Sequence, residues 1–331
     1  MNVVSNMLPV AARGTDVSWD YLKSVLAAAG ADGAISIQRT PSSTSAVTQT
    51  QPPLLAWAVW ENFQAANSMC AHSKCQTELL QRLAYALPRL EGYLRWDILH
   101  RGEKGTGPLL FWTKGTESGM DNSQRWDRQV SWLAVDFSTF FALECNYVSL
   151  VAAALGNTTA AGQWRKRAAE VGSAIHQRLW SVSKGAYMDA NPENGTFSPI
   201  HSVASFLPLL LDSFPQDRLA HLLGHLADAT SGFNATVPLP SVALDTEDFS
   251  TDMWRGPMWV NFNYLVALGL RKQGESFNNS AAVNAANLLV KRTLDVVDTW
   301  YRKTGVFYEF YDSRGQIDPR ELMRKGSRTG G

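Results

Sequence analysis

Cysteine is scarce in this chain: Cys70, Cys75 and Cys145 are the only three. So few, so irregularly spaced, exclude a disulfide-stapled scaffold. Cys70 and Cys75 flank His72, but no second ligand pair follows at usable spacing, so neither a metal site nor a cofactor is expected. Charge is scarce too, at 18% Asp, Glu, Lys and Arg, against about a quarter in an ordinary soluble chain. Acidic and basic residues balance at 30 each, which removes the electrostatic case for nucleic acid or a membrane surface as partner. No uninterrupted apolar run reaches the roughly 18 residues of a membrane-spanning helix. The N-terminus lacks a basic stretch leading into an apolar one, so a cytoplasmic location is the expectation. Sequons at Asn157, Asn194, Asn234 and Asn278 are the opposing sign.

Tryptophan, by contrast, is abundant, with 12 residues. Rings at that density suit either a large helical core or a concave surface that stacks on ligands. The densest chemical cluster is Glu117-Ser118-Gly119-Met120-Asp121-Asn122-Ser123-Gln124-Arg125-Trp126-Asp127, directly ahead of a long apolar segment. It combines three carboxylates, a guanidinium and an indole with small turn-formers. Asp121, Asn122 and Ser123 all suit a helix N-cap, but capping does not account for Arg125-Trp126-Asp127. A sugar pocket does. Aromatic faces cover sugar C–H surfaces, charged groups and amides take the hydroxyls, and glycosidic cleavage needs a carboxylic acid to protonate the leaving oxygen.

Apolar residues recur at three- and four-residue spacing over 17–30, 53–68, 74–100, 131–156, 160–180, 199–213, 216–228, 257–272 and 280–301, predicting nine helices. Period-two alternation is brief, near 185–188 and 305–311. The stretch 37–50 is a polar, Ser/Thr-rich loop. Polar and aromatic clusters stand ahead of every second helix: Thr50-Gln51-Pro52-Pro53, Glu117–Asp127, Tyr187 to His201, and Asp252-Met253-Trp254-Arg255-Gly256-Pro257. The last, Tyr308-Glu309-Phe310-Tyr311-Asp312, follows 280–301. Alternating inner and outer helices produce this pattern, because inner helices gather their N-termini at one mouth. The expected fold is all-α, an (α/α)6 six-hairpin toroid, incomplete at about nine of twelve helices. Two helices would be missing before residue 17 and one after 315. The catalytic domain is expected over 17–315, flanked by an irregular 1–16 and a charged, Gly-rich 316–331. Exposed barrel faces would then favour self-association.

The chain resembles glycoside hydrolase family 63, in the group of mannosylglycerate- and glucosylglycerate-hydrolase-like enzymes related to processing α-glucosidases. The resemblance rests on Gln51-Pro52-Pro53-Leu54-Leu55-Ala56-Trp57-Ala58, Glu117 to Asp127, Pro240-Ser241-Val242, Trp254-Arg255-Gly256-Pro257-Met258-Trp259-Val260-Asn261 and Tyr308-Glu309-Phe310-Tyr311-Asp312, in that order. It implies an inverting α-glycosidase acting on a carbohydrate, an α-linked glucoside or mannoside, with Asp121 as general acid and Glu309 as general base. Glu117 and Asp127 could supply the like charge that keeps the acid protonated, and Arg255 the cation that keeps the base ionised. Asp312 is the rival base.

Among the remaining candidates, Gln51 could grip sugar hydroxyls or simply start a helix ahead of two prolines. Trp126 and Trp254 could stack on sugar faces or fill the core. Arg125 and Arg255 could bind substrate or tie loops together, and Tyr308 adjoins the base. His201 reads as a satisfied helix-start histidine, Asp189 and Asp245 as turn residues. A carbohydrate-binding chain without turnover is the other class that fits. A trehalase would be expected to carry a Gln-Trp-Asp-Tyr-Pro motif, and a terpene cyclase an Asp-rich run; neither occurs.

Overall fold

The computed structural model describes residue 11 and residues 13–37, 49–71, 73–128 and 131–322. Most of the 37–50 loop, His72, the first ten residues and the tail beyond 322 lie outside the described residues. The chain forms two compact units, each assembled from separated stretches. The first takes Met1–Asp121, Val130–Leu179 and Asp189–Thr196; the second takes Asn122–Gln129, Trp180–Met188 and Phe197–Gly331.

The first unit contains α1 (Asp16–Ala27), α2 (Leu55–Ser68), α3 (Ser73–Arg101), the single turn α4 (Gly115–Ser118), α5 (Val135–Ala154) and α6 (Thr158–Arg178). The long helices begin and end within a few residues of the spans that apolar spacing predicts. Side-chain caps set several starts: Thr15 accepts from the Ser18 amide and Asn157 from the Ala160 amide. Asp189, expected only to turn the chain, caps α5 by accepting the Val135 amide at 2.9 Å. α5 and α6 form a hairpin with opposite habits. α5 buries fifteen of its 20 residues, whereas α6 keeps most of its length exposed. By length and composition α5 could cross a membrane, but 72% of its apolar window is buried inside the protein, so it is a core helix.

One bond that the sequence did not signal and one shifted helix start stand out here. Cys70 and Cys75 are joined as a disulfide; a single bridge across the turn between α2 and α3 needs no scaffold spacing to signal it. The second helix starts at Leu55 rather than 53, and its N-cap Leu54 offers no side-chain acceptor. Pro52 and Pro53 lack N–H groups, so the helix's first free amides come later and are met by a carboxylate from α5.

The second unit opens with the hairpin β1 (Trp180–Ser181) and β2 (Ala186–Tyr187). A 3-10 helix follows over Val203–Leu210, and a 3-10 turn at Gln216–Arg218 runs into α7 (Leu219–Ala227). After a 3-10 turn at Met253–Arg255 come β3 (Met258–Trp259), α8 (Val260–Ser276), α9 (Ser280–Thr304), β4 (Phe310–Tyr311) and the short α10 (Pro319–Leu322). The α-helix expected over 199–213 is therefore a 3-10 helix. Pro208 inside it has no N–H to continue an α-helical ladder, and the Leu211 amide closes back on the Pro208 carbonyl. α8 starts at 260 rather than 257 because β3 pairs antiparallel with β4, Met258 opposite Tyr311 and Trp259 opposite Phe310.

α8 is the inner helix of its hairpin and α9 the outer, burying only Ala282, Ala286, Leu289 and Thr293 of its 25 residues. Gly269 lets α8 approach the 203–210 helix closely: a Cβ there would stand 2.7 Å from the Leu209 Cβ. Gln273 fastens the same contact through Nε2, donating to the Leu209 and Leu211 carbonyls at 2.6 and 2.9 Å.

Candidate active site

In the first unit the loop carrying Gln51 is anchored at several points. Thr50 donates its amide to Glu117 at 3.1 Å and its hydroxyl to Asp97 at 3.1 Å, while the Tyr93 hydroxyl donates to the Gln51 carbonyl at 2.7 Å. Gln51 itself is buried. Just beyond the prolines, Glu144 of α5 reaches the start of α2 and accepts the Ala56 amide on Oε2 at 2.6 Å and the Trp57 amide on Oε1 at 2.9 Å. Burial pushes the Glu144 carboxyl up to about 7, against the pull of the Trp57, Ala56 and Leu55 amides. Burial likewise raises Asp97 well above the usual carboxylate range, with the Thr50 hydroxyl and Arg101 opposing. Its Oδ2 has no hydrogen-bond partner among the described residues, as suits a neutral acid better than a buried charge.

Glu117 is fully buried and fully engaged. Arg101 Nη2 lies 2.6 Å from Oε1, and the Thr113 amide and hydroxyl donate to Oε2 at 2.8 and 2.9 Å. Its charge is thus neutralised by Arg101, which corrects its expected role as a bare like charge for the acid. It organises the turn of α4 instead. That turn ends on Gly119 in the left-handed region (φ 75°), a conformation glycine adopts without strain. Met120 is buried, its amide tied to Ser118 Oγ at 3.0 Å. Asp121 then emerges exposed.

In the second unit, 122–127 lies along 248–256. Asn122 Nδ2 donates to Asp252 Oδ2 at 2.9 Å and to the Asp252 carbonyl at 3.3 Å, and Asn122 Oδ1 accepts the Trp254 amide at 3.0 Å. Arg255 forks onto Asp127 with contacts of 3.0 and 2.9 Å. Arg255 therefore ties loops, and the charges of both residues are spent on each other. Gln124 Nε2 donates to the Asp248 and Arg255 carbonyls at 3.2 and 3.3 Å. Arg125 is buried with its guanidinium 4.4 Å from the centre of the half-buried Trp126 ring, so Trp126 keeps some open surface and Arg125 does not.

Trp254 is 1% exposed and stacks on Trp259 at 3.8 Å, leaving no ring face for a sugar. Of the two roles open to it in the sequence, it fills the core one. Trp259 in turn stacks on Phe310 at 4.7 Å across the β3–β4 pair, which fixes the strand just after Glu309. Two serines, Ser241 of the Pro240-Ser241-Val242 motif and Ser313, hold the Gly256 bend between these elements. Ser241 Oγ accepts the Gly256 amide at 2.9 Å, and Ser313 Oγ donates to its carbonyl at 2.6 Å. Tyr308 is half-buried, its amide bonded to the Tyr311 hydroxyl at 3.3 Å, and Glu309 is exposed. Asp312 is buried and accepts the Arg314, Gln316 and Ile317 amides at 3.1, 2.9 and 3.0 Å. His201 departs from expectation: its Nε2 is buried without a hydrogen-bond partner among the described residues. Burial, with His225 and Lys184 nearby, lowers its pKa to about 3, which keeps it neutral.

The carboxylates of the two acidic motifs thus divide cleanly. Glu117, Asp127 and Asp312 are committed to cations or backbone amides. Among the described residues, no hydrogen bond or ion pair engages Asp121 or Glu309. The residues that sequence reasoning missed are Glu144, Asp97 and Asn122. The two acids lie inside predicted helical spans, outside any polar cluster ahead of a helix, and Asn122 reads as an ordinary capping residue.

Residues 10–316 match the family model of the mannosylglycerate hydrolase MGH1-like glycoside hydrolase domain. A mannosylglycerate hydrolase of Thermus thermophilus is 26% identical in an alignment of 294 positions that covers 71% of this chain and 67% of that protein. A protein of Borreliella burgdorferi is 23% identical over 226 residues, 68% of this chain and 44% of its own length. The chain therefore spans less than half the length of some relatives it matches. Among solved structures, a GH63 mannosylglycerate hydrolase from Thermus thermophilus in complex with glucose superposes with a TM-score of 0.75 at 22% identity, covering 93% of this chain and 86% of that one. That likeness shows the fold: the helical spans follow the (α/α)6 arrangement.

Proposed function

Because the matched span runs from residue 10 to residue 316, the chain belongs to the mannosylglycerate hydrolase MGH1-like glycoside hydrolases of family 63, and on that premise we propose that it hydrolyses a small α-linked mannoside or glucoside with inversion. The observation that carries the reading is the pair of uncommitted carboxyls, Asp121 and Glu309, among acidic neighbours that are all engaged. Asp121 as general acid gives its proton to the glycosidic oxygen as the C1–O bond breaks. Glu309 as general base takes a proton from the water that attacks C1 on the opposite face. The sugar leaves with its anomeric configuration reversed, and the aglycone leaves as an alcohol. Single displacement needs the two carboxyls about 6.5–9.5 Å apart so that the water fits between them and the sugar. The satisfied amide cradle of Asp312 favours Glu309 over it as base. Trp126, Tyr308 and Gln51 remain the candidates for contact with the sugar, and the name of the Thermus relative makes mannosylglycerate the first substrate to test.

The test is proton NMR of the sugar first released from mannosylglycerate and glucosylglycerate, with Asp121→Asn, Glu309→Gln and Asp312→Asn alongside. Inversion is expected. Asp121→Asn should lose natural glycosides but keep more activity on glycosyl fluorides, whose leaving group needs no proton. Glu309→Gln should lose both. Retention of configuration, or full activity in Glu309→Gln, would overturn the assignment.

A further inference from the structure

We infer that Asn122 is a positioning residue for the adjoining acid, fixing the chain directly after Asp121 by its own bonds to the Asp252–Arg255 turn. The inference rests on the assignment of Asp121 as general acid. Four hydrogen bonds converge on Asn122. Its Nδ2 donates to the Asp252 carboxylate and carbonyl, its Oδ1 accepts the Trp254 amide, and its carbonyl accepts Arg255 Nη1 at 3.3 Å. Arg255 is itself held by its fork onto Asp127.

The chain is equally constrained on the other side of Asp121. Gly119 turns it through the left-handed region, and Met120 is buried with its amide bonded. Asp121 is thus an exposed residue between two fixed neighbours. With its backbone pinned on both sides, only the two side-chain torsions of an aspartate remain to aim the carboxyl. The turn that Asn122 grips also carries Trp254, which stacks on Trp259, and Trp259 pairs with Phe310, the residue after Glu309.

Asn is required at 122 in a specific sense. It must donate to Asp252 and accept from the Trp254 amide with the same side chain. Asp at 122 could still accept from Trp254 but would set two carboxylates against each other. That makes a donor–acceptor exchange the decisive experiment. Asn122→Asp and Asn122→Ala should lower kcat on the unactivated glycoside by about 10–100-fold, the scale on which a misplacement of about 1 Å acts. KM should change little, and turnover of the glycosyl fluoride should fall far less. The double variant Asn122→Asp/Asp252→Asn restores one donor and one acceptor in the same place and should recover most of the lost kcat.

Equal losses on both substrate types, or no recovery in the exchange variant, would show that Asn122 merely supports the fold and would overturn the inference. Unchanged kcat in Asn122→Ala would overturn it as well. The Asp121→Asn control separates the two levels. If that variant itself shows no preference for the fluoride, the acid assignment has failed and the positioning role falls with it. If it shows the preference while the Asn122 variants do not, only the positioning role falls.

Discussion

Replacing Glu144 with glutamine should change how the stability of this protein depends on pH. Glu144 is a buried acid whose two oxygens separately accept the Ala56 and Trp57 amides. Burial raises its pKa from 4.5 to about 7 in the folded chain. A raised carboxyl holds its proton more tightly folded than unfolded, so its contribution is fully present below the unfolded value and is lost as pH rises through the folded value. That shift, taken at about 1.4 kcal/mol per unit, amounts to about 3 kcal/mol, most of it between about pH 5 and pH 8. Glutamine cannot titrate, and it keeps one acceptor for the two amides, which costs a roughly constant increment of about 1–3 kcal/mol at all pH values. The difference in unfolding free energy between the two proteins should therefore shift by about 2–3 kcal/mol in favour of Glu144→Gln on going from about pH 5 to pH 8. Asp97, Tyr93 and Cys145 also face this region, and burial raises the pKa of each. They are common to both proteins, so the difference isolates Glu144 unless the substitution moves them. Urea unfolding followed by circular dichroism at the two pH values measures it. Parallel stability profiles would refute the buried titration.

Other perturbations read out separate parts of the structure. Arg101→Met leaves Glu117 buried without its cation and should cost about 3–5 kcal/mol in denaturant unfolding; a loss below about 1 kcal/mol would mean that the backbone amides suffice. Trp254→Ala removes a core ring stacked at 3.8 Å on Trp259 and should also cost about 3–5 kcal/mol. If it instead left stability unchanged and raised KM alone, Trp254 would be a substrate ring after all. Gly256→Ala drives a Cβ into the Ser250 carbonyl and the Phe249 ring, so soluble yield and melting temperature should fall together, and an unaffected melt would contradict that packing. Val290, Leu294 and Tyr301 share one face of α9 at 40%, 60% and 44% exposure, and Phe307 stacks on Tyr301. Self-association is expected in sedimentation velocity and should weaken in Leu294→Glu, whereas a monomer at every concentration would dismiss it.

Local physics determined the helices. Spacing of apolar residues at three and four places Leu79, Leu83, Ala86, Leu90 and Leu94 on one face of α3, and similar stripes mark each long span from sequence alone. The alternation of inner and outer helices was legible in the polar and aromatic clusters ahead of every second helix, and α5, with fifteen of its 20 residues buried, is an inner one. Boundaries shifted where a partner distant in sequence intervened: β4 converts residues 258–259 to strand, and Glu144 sets the start of α2 from another helix.

The site divides along the same line. Glu117, Asp121, Asp127, Glu309 and Asp312 are all acids in motif positions, and residue type alone does not distinguish a committed carboxylate from an available one. Arg101 is 16 residues from Glu117, and Arg255 is 128 residues from Asp127. Those separations close only in the folded chain. Asn122 carries the same lesson, since nothing near it in sequence names Asp252 or Trp254, 130 and 132 residues away, as its partners. The sequence by itself determined where the long helices form, in what order, and which segments hold the chemistry. The tertiary structure decided which carboxyls are spent on holding the protein together and which stay available, because a hydrogen bond depends on distance in space and not on distance along the chain.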